Sequence, residues 1–152
     1  MKRLVFYILK TLAFISRIFR ARHLYMNILC AAHKSQGVKF VGKPEYIQSD
    51  ALLDPSGGLT IHNGAVISTR VIILTHDWSF LKRDSNKECI SPAFKTVIIG
   101  ENSFIGAGSI ILPGSRIGSH CIIGAGAVVK GTIEDYSIVV GNPYKVIGDT
   151  RK

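Results

Sequence analysis

The chain has 152 residues, 47% hydrophobic and 19% charged, a balance that fits one globular domain and excludes a disordered chain. The formal charge of +9 belongs to the N-terminal part. Residues 1–43 carry nine basic side chains (Lys2, Arg3, Lys10, Arg17, Arg20, Arg22, Lys34, Lys39, Lys43) and no acid, and the remainder carries ten of each sign. A nucleic-acid-binding domain spreads cations over its folded body; this body is neutral, so nucleic acid is not an expected partner. Three cysteines (Cys30, Cys89, Cys121) without a C-x-x-C spacing argue against a disulfide framework and against a cysteine zinc site. They fit reduced thiols in a cytoplasmic protein.

Residues 1–37 form a first unit. Met1–Lys34 lacks glycine and proline and reads as helix. At 100° per residue, Lys2, Arg3, Lys10, Arg17 and Arg20 fall within an arc of about 100° and the remaining surface is apolar. Such a basic amphipathic helix is expected to lie on the inner face of a membrane, its cations facing anionic headgroups. The competing expectation is packing on the rest of the protein or on a sister subunit. Lys10 and Arg17 interrupt any window long enough to span a bilayer, and Lys10 also breaks the apolar run that a secretory signal needs.

Residues 38–149 carry a repeat of period six. Between 99 and 134 the first positions are Ile99, Ile105, Ile111, Ile117, Ile123 and Val129, and four are followed by glycine (Gly100, Gly106, Gly118, Gly124). The fifth positions are Ser103, Ser109, Ser115, Cys121, Ala127 and Ile133, five of the six small. The same spacing runs through Val41, Ile47 and Leu53 and then Ile61, Ile67 and Ile73, with Gly57-Gly58 absorbing two extra residues. Six is a multiple of the strand period and not of the helical one. Each hexad is therefore a short strand plus a corner, three hexads close a triangular coil, and stacked coils align the aliphatic residues in columns. The small fifth residue points into the tight interior, and glycine suits corners with unusual backbone angles. The expected fold is all-β, a parallel β-helix of roughly four coils. The register stops after Ile73 and resumes at Ile99, which leaves one extruded loop over 74–96.

The stretch from Ile98-Ile99-Gly100 to Val129-Lys130, closed by Gly141-Asn142-Pro143, resembles the hexapeptide-repeat acyltransferases, in their sugar O-acetyltransferase branch. That branch comprises the maltose and galactoside enzymes and the capsule, O-antigen and colanic-acid enzymes. The resemblance implies a left-handed β-helix and a homotrimer with intersubunit active sites. It implies acetyl-CoA as acyl donor, a sugar or lipid-linked saccharide as acceptor in surface polysaccharide biosynthesis, and no metal. His76, in Thr75-His76-Asp77, stands where the family's catalytic histidine stands, which implies a general base. The chemistry agrees, because an imidazole can take the proton of a hydroxyl as its oxygen attacks a thioester. Oxyanion donors are expected among the N–H groups of Gly106, Ala107 or Ser109.

By family position, Ala107 and Ala125 match contacts to the pantetheine arm, Lys130 and Lys145 match positions near the nucleotide phosphates, and Phe104 matches an aromatic near the thioester. Gln48 stands near the family's acceptor-binding asparagine. Asp54 occupies an equivalent loop and is a further acceptor-binding candidate. Asp77 is expected to orient the His76 ring or to hold acceptor hydroxyls. Trp78 departs from a second histidine often found in this branch; it stacks on a sugar ring or packs the loop. Cys89 matches no family nucleophile. A γ-type carbonic anhydrase would need three histidines around zinc, and His76 is the only one well placed. Amino-sugar N-acetylation is the nearest rival activity, and a non-catalytic scaffold the rival outside enzymes.

Overall fold

The computed structural model describes residues 2–18, 22–77 and 93–152. Two helices, α1 (Lys2–Ile18) and α2 (Arg22–Gln36), precede a left-handed parallel β-helix. The first coil holds β1 (Lys39–Val41), β2 (Tyr46–Ile47) and β3 (Leu52–Leu53); the second holds β4 (Leu59–His62), β5 (Val66–Ile67) and β6 (Ile72–Ile73). An excursion carries β7 (His76–Asp77) and β8 (Ala93–Phe94). The third coil follows with β9 (Val97–Ile99), β10 (Phe104–Ile105) and β11 (Ile110–Ile111). The fourth has β12 (Arg116–Ile117), β13 (Ile122–Ile123) and β14 (Val128–Val129). A partial fifth coil, β15 (Thr132–Ile133) and β16 (Ser137–Val140), ends in β17 (Lys145–Asp149), which folds back antiparallel on β16.

Strands stack by position into three parallel faces. The first face is β1-β4-β9-β12-β15, the second runs from β2 through β5, β10 and β13 to β16, and the third is β3-β6-β11-β14. The expected aliphatics form the columns. On the second face Ile47, Ile67, Ile105, Ile123 and Val139 stack with no solvent exposure. Each such side chain stabilises the fold by about 1.5–3 kcal/mol through burial. The small residues Ser103, Ser109 and Ser115 point inward and bond their hydroxyls to the Gly118, Gly106 and Leu112 carbonyls at 2.7 Å, so no buried oxygen is left unmatched there. Cys121 is a buried core residue whose thiol burial pushes upward.

Three details of the repeat differ from expectation. In β1 it is Phe40 that pairs with Ile61 and packs inward, while Val41 is exposed. Ile133 is not a misfit at a small position: the corner after Val129 is short, so Ile133 moves into the column over Ile117. The recurring glycines also have another cause. Gly106 has an ordinary φ, but a Cβ there would meet the Ile123 carbonyl and the Ala125 nitrogen of the next coil at 2.6 Å. The left-handed angles occur at other corner positions, such as Asn102 (φ 53°), His120 (φ 58°) and Gly108 (φ 66°).

The N-terminal unit is a helical hairpin and not one helix. Residues 19–21 and the side chains of Arg17 and Arg20 lie outside the described residues. α2 caps the open end of the first coil. Tyr25 donates to the Ile47 carbonyl at 2.8 Å, and Tyr25, Met26 and Leu29 join the core of the solenoid. α1 packs on α2 through buried Ala13 and half-buried Phe6, whose ring meets His33 edge-on at 5.5 Å. Lys10 belongs to this packed side, with its Nζ 5.3 Å from the Phe6 ring centroid. The basic arc therefore turns partly inward, while Leu4, Ile8, Leu12 and Phe14 face outward. Among the described residues no helix is long and apolar enough to cross a membrane.

His33 is 2% exposed, and among the described residues nothing bonds its Nε2. Burial, aided by Lys10, pulls its pKa down to about 4. The folded value lies below the unfolded one, so the stabilisation is complete above about pH 6.5 and declines as pH falls toward 4. Urea unfolding is expected to show up to roughly 3 kcal/mol of this loss across that window. A His33→Leu chain is expected to lose that share of the slope; an unchanged slope refutes the assignment.

Candidate active site

The excursion leaves the solenoid at the corner that follows the third face. Leu53 stacks on Ile73, so Asp54 stacks below Leu74 and its carboxylate reaches the next two residues, Thr75 and His76. Asp54 Oδ1 accepts from the Ser56 backbone N–H (3.0 Å) and the Ser56 hydroxyl (2.6 Å). Asp54 Oδ2 accepts from the Thr75 N–H (2.8 Å), the Thr75 hydroxyl (2.7 Å) and His76 Nδ1 (2.7 Å). The Ser56 hydroxyl also lies 3.1 Å from His76 Nδ1. Burial by itself would raise the Asp54 carboxyl, but the bonds from Ser56 and Thr75 outweigh it and hold the group well below the usual carboxylate range. Asp54 is thus an anion at neutral pH. A carboxylate can only accept, so the Nδ1 facing it carries the proton of that bond.

The backbone around this pair is tightly constrained. Thr75 is fully buried; its hydroxyl also accepts from the Gly57 N–H at 2.8 Å, and its carbonyl accepts from Lys95 N–H at 2.8 Å. A Cβ on Gly57 would collide with the Thr75 carbonyl, so the glycine pair that adds two residues to the coil also makes room for this strand. β7 pairs with β8, His76 opposite Phe94, at the base of the excursion. The His76 side chain retains 33% exposure and that of Asp54 10%, so the carboxylate is enclosed and the imidazole accessible.

Asp77 was expected to orient the His76 ring or to hold acceptor hydroxyls; the carboxylate that meets His76 Nδ1, at 2.7 Å, is that of Asp54. Adjacent strand residues point to opposite sides, and the carboxylate on the His76 ring comes from one coil earlier. Ser56 and Thr75 were absent from the sequence-derived site. Both stand beside a candidate, and the signal that could have found them was the Asp-Pro-Ser-Gly-Gly turn. Trp78, Cys89 and the charged run at 82–88 lie outside the described residues.

The remaining candidates divide between two edges of the third face. Lys130 follows β14 at the corner that His76 occupies two coils below, and it is exposed. Gln48, Gly106, Ala107 and Ala125 share the opposite corner, between the second and third faces. Gln48 accepts there from the Tyr46 hydroxyl at 2.6 Å. Of the expected oxyanion donors, the Gly106 N–H bonds the Ile123 carbonyl (2.8 Å) and the Ser109 N–H bonds the Gly106 carbonyl (3.2 Å). Both are committed within the solenoid. Phe104 projects from the second face, 41% exposed, and Lys145 lies on β17 beside that face. One prism therefore does not bring His76 together with the Ala107–Ala125 corner. Among the described residues no group of three histidine, cysteine or acidic side chains could hold a metal ion.

Residues 96–131 match the family described as Bacterial transferase hexapeptide (six repeats). The chain is 30% identical, over 59% of its length, to a protein of Escherichia coli strain K12 named as a candidate lipopolysaccharide biosynthesis O-acetyl transferase, WbbJ. It spans 49% of that relative. Among solved structures, a maltose O-acetyltransferase from Clostridium difficile 630 superposes with a TM-score of 0.56 at 31% identity, covering 76% of this chain and 58% of that one. The N-acyltransferase AntD from Bacillus cereus, solved with dTDP and 3-hydroxybutyryl-CoA, gives 0.59 at 27% identity, covering 74% and 66%.

The Thr75 hydroxyl links Asp54 to Gly57. Thr75→Val keeps the shape and removes the bonds, and is expected to destabilise the chain by about 1–3 kcal/mol in chemical denaturation. A loss well below that range means the hydroxyl is not a structural link.

Proposed function

We propose that this chain, built on the bacterial transferase hexapeptide repeat, transfers the acetyl group of acetyl-CoA to a sugar hydroxyl during assembly of a surface polysaccharide. The observation that carries the reading is the Asp54–His76 pair, an accessible imidazole whose Nδ1 proton is held by an enclosed carboxylate at 2.7 Å. His76 Nε2 takes the proton of the acceptor hydroxyl as its oxygen attacks the thioester carbonyl carbon. The carbon–sulfur bond breaks, the ester forms, and the imidazolium returns the proton to the departing CoA thiolate. Asp54 keeps the ring in the useful tautomer and stabilises its charged form, as a positioning residue. The Ala107 N–H serves the developing oxyanion. The transfer is direct, with no acyl-enzyme. Likeness to sugar O-acetyltransferases supports the substrate class.

The two-edge distribution supports a homotrimer in which His76, Asp54 and Lys130 of one copy face the Gln48, Gly106, Ala107 and Ala125 corner of the next. CoA runs along that cleft, Lys130 placing a cation for its phosphates, with Phe104 and Lys145 as further contacts. Trp78 and Asp77 belong to the acceptor side. The catalytic body is 38–149, residues 1–37 are the helical unit that caps it, and the cytoplasm is the compartment of the donor. A second reading, N-acylation of an amino sugar, is favoured by the likeness to AntD; identifying an ester or an amide in the product decides between them.

With acetyl-CoA and a panel of glycosyl acceptors, His76→Ala is expected to lower acceptor-dependent CoA release by about 10²–10⁴-fold. Asp54→Asn is expected to lower kcat by at least about tenfold with little change in the KM for acetyl-CoA. Equal rates in the parent chain and His76→Ala would remove the catalytic proposal. Co-expressing His76→Ala with Ala107→Trp is expected to restore activity that neither has alone, because mixed oligomers contain one intact cleft. Absence of rescue in mixed oligomers means that the site is complete within one copy.

A further inference from the structure

We infer that the outward face of α1 is a membrane-docking surface that inserts Leu4, Val5, Ile8, Leu12 and Ile15 into the interfacial layer of an anionic bilayer. These five side chains are 65%, 42%, 51%, 46% and 43% exposed. At 100° per residue they fall within one arc of about 100°, over a rise of roughly 16 Å. Scattered exposed leucines are ordinary on a protein surface; a continuous apolar stripe is not. The opposite side of α1, through Ala13 and Phe6, is taken by α2, and among the described residues the stripe is the side left exposed.

Charge selects the occupant. Residues 1–43 hold nine cations and no acid, among them exposed Lys2, Arg3, Lys34, Lys39 and Lys43. A second copy seated on the stripe would bring the same acid-free segment against itself, and like charges across a contact oppose association. An anionic lipid surface supplies both what the stripe lacks, an apolar layer, and what the cations lack, negative charge. Long basic side chains bury their stems and keep their heads at the phosphates. Since no described helix is long enough to cross, the attachment is parallel to the surface. α2 caps the first coil and the His76 corner opens one coil above it. Docking would therefore hold that corner near the bilayer, where lipid-carried acceptors reside; this last consequence rests on the acyl-transfer reading, and the docking does not.

The test is flotation of the full chain with vesicles of phosphatidylethanolamine and phosphatidylglycerol, against phosphatidylcholine alone, without acyl donor. The parent chain is expected to float with the anionic vesicles and to bind phosphatidylcholine more weakly. Ile8→Glu with Leu12→Glu is expected to reduce partitioning by about tenfold or more, with circular dichroism and oligomeric state unchanged. Lys2→Gln with Arg3→Gln is expected to reduce the preference for anionic lipid and to leave the weaker binding in place. The inference fails if the parent chain does not float, or if the glutamate pair floats equally well. It also fails if the glutamate pair changes the oligomeric state, which would make the stripe an interface between copies.

Discussion

The solenoid of this molecule is set by hydrogen bonding from one coil to the next. Short strands of two to four residues have little stability alone, and those of the inner coils are held by partners one coil before and one coil after. That stacking converts a six-residue spacing into three columns of aliphatic side chains. It also makes corners equivalent, so a residue's place along the chain translates directly into a height and an edge. The Asp54–His76 pair exists because Leu53 and Ile73 are stacked neighbours and the coil between them carries two extra residues.

The geometry divides labour between a rigid frame and an accessible group. Asp54 is enclosed and held ionised by bonds from Ser56 and Thr75. It fixes the imidazole without itself being exposed to proton exchange over the neutral range. Thr75 has no exposed surface and ties three segments together. Such a frame suits a proton transfer, where small errors of placement are expensive in rate. The Ala107–Ala125 corner lies on the opposite edge of the third face, which one prism holds apart from His76.

The N-terminal unit shows two faces with different physics. The α2 face is a plug: an open β-helix end exposes backbone and core, and Tyr25, Met26 and Leu29 cover it. The α1 face is the reverse, an apolar stripe left exposed among the described residues, on a segment whose cations no acid of the same segment balances. The helical period of this segment is readable residue by residue, but the period does not say which side meets α2. The basic arc suggested cations toward lipid; packing placed Lys10 against Phe6 instead and turned leucine and isoleucine outward.

Local and periodic information was legible in the sequence alone. The coil number, the extruded loop after Ile73 and the inward serines follow from a spacing of six and its interruption; His76 as a candidate came from the family resemblance. What the tertiary structure decided were the relations between distant residues. Asp54 meets His76 because stacking brings residues 22 positions apart together. The same holds for Ile133, which a short corner shifts into a column, and for glycines such as Gly106, required by the closeness of the next coil. A spacing specifies what repeats; only the stacked chain specifies which repeats touch.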